Sequence, residues 1–201
     1  MKILIATILL VFLGIAGVAQ DKNQKTLENE IKKIKNKPAW VINYDKFDDI
    51  TSVYLGGYNI TKNTGGIIKG IGGRRYEMFV GFTFSGEILK ESPKEFIVTF
   101  ALFPNQAYPN NERENMSSDL KVIANTDRFT FNSSGKDSIL SKALSGISQP
   151  VTSKFKVTRD EYERISKTNS ISLKLGSIER ELTQKQTELF SEVLELSNIK
   201  K

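Results

Sequence analysis

From Arg74 to Pro104 apolar and polar positions alternate with a period of two. Tyr76, Met78, Val80, Phe82 and Phe84 fall on one face of an extended run, and Glu77, Phe79, Gly81 and Thr83 on the other. In the run that follows, Phe96, Val98, Phe100 and Leu102 share one face, and Ile97, Thr99, Ala101 and Phe103 share the other. Apolar residues on both faces predict a strand covered on both sides. Ser85 to Lys94, with Gly86 and Pro93, suits a hairpin connection. These two strands are expected at the centre of an antiparallel sheet.

The rest of the chain supplies its partners. Asn23 to Lys37 places Leu27, Ile31 and Ile34 on one helical stripe, and Pro38 ends the helix. Trp40–Tyr44 and Thr51–Leu55 read as strands, as do Leu120–Ala124 and Arg128–Asn132 around Asn125-Thr126-Asp127. Ser138 to Ser145 reads as a short helix followed by Gly146. Phe155 and Val157 point inward from a further strand. Thr158 and Glu161 have capping-box spacing and open a helix that buries Tyr162 and Ile165, with Asn169 as its expected end. Ile171, Leu173 and Leu175 alternate with Ser172 and Lys174. Gly176-Ser177 is a hairpin turn, and Ile178 to Leu182 returns. Thr183 and Gln186 form a second capping box, and the final helix buries Leu189, Phe190, Val193, Leu194 and Leu196. The expected fold is mainly β (α+β): an antiparallel β-sandwich-like domain with a few peripheral helices, including a C-terminal helix.

The N-terminus reads differently. Met1-Lys2 is a short positive start, Ile3 to Val18 is uncharged and apolar, and Gly17-Val18-Ala19 offers the small residues a signal peptidase reads. The run is short for a membrane span of roughly 20 apolar residues, and no positive cluster follows it. Residues 1–19 are therefore read as a signal peptide, 20–39 as a helical spacer and 40–201 as one β-rich domain. The protein is expected to be exported, periplasmic or extracellular, with no transmembrane anchor after processing. There is no cysteine in the chain, so neither a lipid anchor nor a disulfide is available. With the Lys- and Asn-rich composition, that favours a bacterial source. Loss of residues 1–19 removes only Lys2 and lowers the formal net charge from +6 to +5. That modest excess suits a solubilising surface, and secondarily an envelope protein or anionic polymer as partner.

Candidate chemistry is sparse. Without His or Cys, Ser-His-Asp and Cys-His catalysis and the usual zinc and haem sites are excluded, and no cofactor is indicated. Asp45, Asp48 and Asp49 lack the spacing of a calcium loop and read as turn formers. Gly56 to Gly73 holds seven of the 14 glycines, but neither a phosphate-binding nor a dinucleotide fingerprint, and reads as a mobile loop. Arg74 and Arg75 at its exit are the candidate anion-binding residues. Asn105 to Ser118 is a second long polar loop. Glu77 is the carboxylate of most interest, expected at an edge or facing solvent. Ser141-Lys142 is a formal dyad by adjacency alone. The aromatics take core positions and form no basic stripe, which argues against nucleic acid.

Trp40, the stretch Phe47-Asp48-Asp49-x-Thr51-Ser52-Val53, and the tail from Thr152 to Leu196 together resemble a loose group of uncharacterised secreted proteins and lipoproteins of bacteria. The resemblance implies a β-sandwich-like fold and export, and carries over no catalytic residue. The expected function is a non-enzymatic envelope or secreted binding module. The alternative is a carboxylate-dependent hydrolase of an envelope glycan, which needs two carboxylates about 5–10 Å apart across a cleft. No pattern along the chain specifies a ligand or an oligomeric state.

Overall fold

The strands with the strongest alternation lie in the middle of the first sheet. β3 (Arg75–Ser85) and β4 (Glu95–Phe103) pair antiparallel, with Val80 opposite Val98 and Phe82 opposite Phe96. β1 (Ala39–Asp45) and β2 (Ile50–Asn59) precede them, and β7 (Val151–Thr158) closes the sheet in the order β1-β2-β3-β4-β7. A second sheet runs β6-β5-β8-β9, from β5 (Leu120–Ala124), β6 (Asp127–Phe131), β8 (Ile171–Leu175) and β9 (Ile178–Glu181). Every pairing is antiparallel. Four helices complete the described chain: α1 (Lys22–Lys33), α2 (Ser138–Ala143), α3 (Arg159–Ser166) and α4 (Gln184–Ser197). These elements come from a computed structural model that describes residues 22–34, 38–60, 75–103, 119–145 and 150–198.

The period of two decides which face is core. Tyr76, Met78, Val80 and Phe82 join Phe96, Val98, Phe100, Phe155 and Val157 in one apolar cluster. The buried faces of β5 and β8 and the apolar stripes of α3 and α4 belong to it as well. This is the mainly-β, sandwich-like α+β fold expected from the pattern. The other face of the first sheet is not bare. Tyr54, Phe79, Ile97 and Ala101 pack with Leu140 of α2 in a second, smaller cluster. Full burial of one Phe is typically worth about 3–5 kcal/mol against Ala, so these clusters dominate the stability.

Local signals operate where they were read. Thr158 and Glu161 form a complete capping box at α3, and the Gln186 side chain accepts from the Thr183 N–H at 2.9 Å at the start of α4. Ile31 of α1 is buried in the main cluster, with Leu27 and Ile34 packed against it.

Several boundaries differ from expectation. α3 stops at Ser166, capped by Lys167, so Asn169 does not end it. The β5–β6 turn is the pair Asn125-Thr126, with Asn125 in the left-handed region at φ 54° and Asp127 already paired with Ala124. Gly56 to Asn59 belong to β2 and not to a loop. The register slips between Gly56 and Tyr58, a bulge. A Cβ on Gly56 would stand 2.3 Å from the Met78 carbonyl oxygen, so glycine is needed for the close approach of β3. Glu77 is corrected too: it is 3% exposed and neither at an edge nor facing solvent. β3 has strands on both sides, and from Tyr76 to Phe82 its residues are buried on both faces, Glu77 among them.

Candidate functional site

A meander sends alternate connections to opposite ends of its sheet. The chain leaves β2 at Ile60 and re-enters at Arg75. It leaves β4 at Phe103, forms β5, β6 and α2, and enters β7 after Pro150. Register places these points at one end, with Asn59 opposite Glu77, Arg75 opposite Phe103 and Leu102 opposite Val151. Both roots of the glycine-rich segment and the Phe103 root of the second polar segment therefore lie at one end, while the other root of the second segment, Asp119, leads into β5 of the second sheet. Residues 61–74 and 104–118 lie outside the described residues, and so does Arg74. Arg75 opens β3; its side chain is likewise outside the described residues. The structure thus brings three of the four loop roots to one end without placing the two arginine side chains.

The root of the glycine-rich segment is fixed by side chains from far along the chain. The Ile60 N–H donates to the Tyr76 carbonyl at 2.9 Å. Arg180 of β9 donates from Nε to the Ile60 carbonyl at 3.1 Å, and Gln186 of α4 donates to the Asn59 carbonyl at 3.1 Å. Arg180 was not singled out in the sequence. It sits 120 residues from Ile60, and no local spacing signals such a contact.

At the opposite end the acidic turn does structural work. Asp45 Oδ1 accepts from the Phe47 N–H at 2.9 Å. Asp49 sits at φ 52°, its carbonyl accepts from the Gly86 N–H at 2.7 Å, and its carboxylate accepts from the Tyr44 hydroxyl at 3.0 Å. That hydrogen bond holds the Tyr44 pKa above its ordinary value. The aspartates are turn formers, as read from the sequence. The turn displays Phe47, which is 88% exposed, with Lys46 Nζ 5.2 Å from its ring centre. Beside it an open concavity of about 630 Å³ is lined by Asp49, Phe84, Glu87, Ile88, Lys90 and Pro93. A second, of about 420 Å³, lies between the end of α3 and the start of α4, lined by Lys167, Asn169, Gln184, Thr187 and Glu188.

A buried polar group lies under α2. Asp137 caps that helix, with Oδ1 accepting from the Leu140 N–H at 3.0 Å and Oδ2 accepting from the Thr99 hydroxyl at 3.0 Å. Its own N–H donates to Thr152 Oγ1 at 3.0 Å, and that hydroxyl donates back to the Asp137 carbonyl at 3.1 Å. Tyr54 belongs to the same group. Burial, and then the Asp137 carboxylate, push its hydroxyl far above the ordinary tyrosine range. Glu77 shares this face, diagonal to Thr99 in the register. Both carboxylates are buried, and neither lines either concavity just described. The Asp137 cluster was missed in the sequence because Thr152 and Thr99 lie 15 and 38 residues from Asp137 and Tyr54 lies farther still. The one local signal was an Asp directly before a short apolar helix.

Ser141 and Lys142 do not form a dyad. Consecutive helical positions do not face each other. Ser141 Oγ approaches the Pro150 carbonyl at 3.5 Å, while Lys142 is exposed. Among the described residues no group of three or more acidic side chains could hold a metal ion, and no helix is long and apolar enough to cross a membrane.

Comparison with known proteins finds no matching family, no matching curated protein and no matching solved structure.

Proposed function

We propose that this is an exported bacterial protein acting as a non-enzymatic binding module, which contacts an acidic envelope protein or anionic polymer through loops at one end of its first sheet. One observation carries the reading: both roots of the glycine-rich segment, Ile60 and Arg75, and the Phe103 root of the second polar segment lie at one end of the first sheet, on a frame whose two sheet faces are already covered. Recognition on such folds concentrates in loops held by a rigid scaffold. Arg180 and Gln186 stiffen one root, which limits the backbone entropy lost on binding. Arg74 and Arg75 supply the positive charge, so salt weakens the contact.

The test is a pull-down from the native envelope fraction. It compares wild type, an Arg74→Ala/Arg75→Ala variant and a variant shortened between Asn110 and Ser117, over a salt series. At least one variant should lose a partner that wild type retains. Retention of every partner by both overturns the reading, as does release of product from an envelope glycan by the pure protein. Export is tested separately by mass spectrometry of protein from the native host, where the N-terminus should be Gln20.

A further inference from the structure

A sheet edge exposes a row of backbone N–H and C=O groups, and soluble proteins normally block it with charge, proline, brevity, a bulge or a covering segment. Three of the four edges here are blocked in this way. The outer side of β7 carries the segment after β6: Ser133 bridges Phe155, the Ser134 N–H donates to the Lys154 carbonyl at 2.8 Å, and the Lys154 N–H donates to the Gly135 carbonyl at 2.9 Å. β9 is four residues long and reads Ile-Glu-Arg-Glu. β6 is five residues long, begins Asp-Arg, and is tied to α3 by an Arg164–Asp127 ion pair at 2.8 Å.

Among the described residues β1 has none of these devices. It is seven residues long and reads Ala-Trp-Val-Ile-Asn-Tyr-Asp, with its one charge at the end. It pairs with β2 from Ala39 to Asp45 without a bulge. Among the described residues no backbone hydrogen bond reaches its other side. Trp40 and Ile42 pack against the main core and remain half exposed.

We propose that two copies of this chain join edge to edge through β1 about a twofold axis at Ile42, giving one continuous ten-stranded antiparallel sheet from two of five strands. The strand is self-complementary in this register. Antiparallel pairing about Ile42 sets Trp40 against Tyr44, Val41 against Asn43 and Ala39 against Asp45, with Ile42 against its own copy. The twofold keeps the core-side residues Trp40, Ile42 and Tyr44 on one face in both copies, where aromatic and β-branched cross-strand pairs are favourable. The only charge, Asp45, meets Ala39 and never its own copy, so nothing in the register repels. Every outward backbone group of β1 then finds a partner, which an isolated copy leaves to water. This proposal is independent of the loop-binding reading, since β1 contributes to neither loop root.

Sedimentation equilibrium of the chain lacking residues 1–19 tests it over micromolar to sub-millimolar concentrations. Wild type should be a dimer. Ile42→Lys places two ammonium groups opposite each other at the axis and should raise the dissociation constant about tenfold or more, with circular dichroism confirming the fold. The chain has no cysteine, so Ile42→Cys provides a second readout that does not depend on the charged variant. It should form a disulfide-linked dimer under mild oxidation, while Lys121→Cys, on the exposed face of β5, should form no disulfide link. A wild type that stays monomeric throughout overturns the proposal. So does a dimer unaffected in a folded Ile42→Lys protein, or equal cross-linking at both cysteines. Protection of β1 amides from hydrogen exchange in a monomer would show that another part of the same chain covers the edge, and would also overturn it.

Discussion

Phe96 and Tyr162 lie stacked, their ring centres 3.9 Å apart and their planes 6° from parallel. Phe96 belongs to β4 and Tyr162 to α3, so this contact seats the helix on the sheet. The Tyr162 hydroxyl then donates to the Phe190 carbonyl at 3.0 Å, joining α3 to α4. One side chain thus links three elements that are remote in sequence.

Substitution at this position separates packing from hydrogen bonding. Tyr162→Phe keeps the stack and loses the bond to Phe190, and should cost about 0.5–1.5 kcal/mol. Tyr162→Ala loses both and should cost about 3–5 kcal/mol. Urea denaturation followed by circular dichroism measures the difference; equal effects would mean that the ring contributes little.

Stability should fall in alkali. Burial raises the pKa of Tyr162 and Tyr54 far above the ordinary 10, and that of Tyr58 to about 12, with Glu192 and Glu188 adding to the burial effect at Tyr58. Each of these tyrosines stays protonated in the fold after its unfolded counterpart has ionised. The associated stability is therefore complete below pH 10 and is lost as pH rises through 12 and beyond. Denaturation midpoints from pH 8 to 12 should be level at first and then decline, and the decline should be shallower in Tyr162→Phe.

Asp137 should matter more than its place in a short helix suggests. Asp137→Ala removes the cap of α2 and leaves the Thr99 hydroxyl without its acceptor, and should cost about 2–4 kcal/mol. Asp137→Asn keeps an acceptor oxygen for the Leu140 N–H and should cost less. A larger loss in the Asn variant than in the Ala variant would contradict the capping role.

Gly81 is set by the distance between strands. A Cβ there would stand 1.9 Å from the Val53 carbonyl oxygen, which is backbone of β2 and cannot turn aside. Gly81→Ala should cost about 1–3 kcal/mol or more, read from the thermal or urea midpoint.

Phe47 provides the contrast. It is an aromatic residue at 88% exposure, and Phe47→Ser should change stability by no more than about 0.5 kcal/mol. A large loss in urea denaturation would mean that the turn is packed against something.

Much of this architecture was legible because it depends on near neighbours. Alternation from Tyr76 to Phe84 and from Phe96 to Leu102 identified the central strands and their core face. Thr158 with Glu161, and Thr183 with Gln186, marked two helix starts three residues from their caps. The candidate site was less legible. Arg74 and Arg75 were chosen by composition, while Arg180 and Gln186, which hold the root of the same segment, carry no local mark. Glu77 was misplaced because a period of two assigns a face but does not say whether that face is covered.

By itself, then, the sequence determined the extended runs, their buried sides, the turns at Asn125 and Gly176, and the helix caps. Each is set by steric and hydrogen-bonding rules acting within a few residues. Only the tertiary structure decided that α2 packs on the outer face, that Glu77 and Asp137 are buried, that the roots at Ile60, Arg75 and Phe103 meet at one end, and that β1 is an open edge among the described residues. Those relations depend on strand order and layer packing, which arise from contacts between residues tens of positions apart.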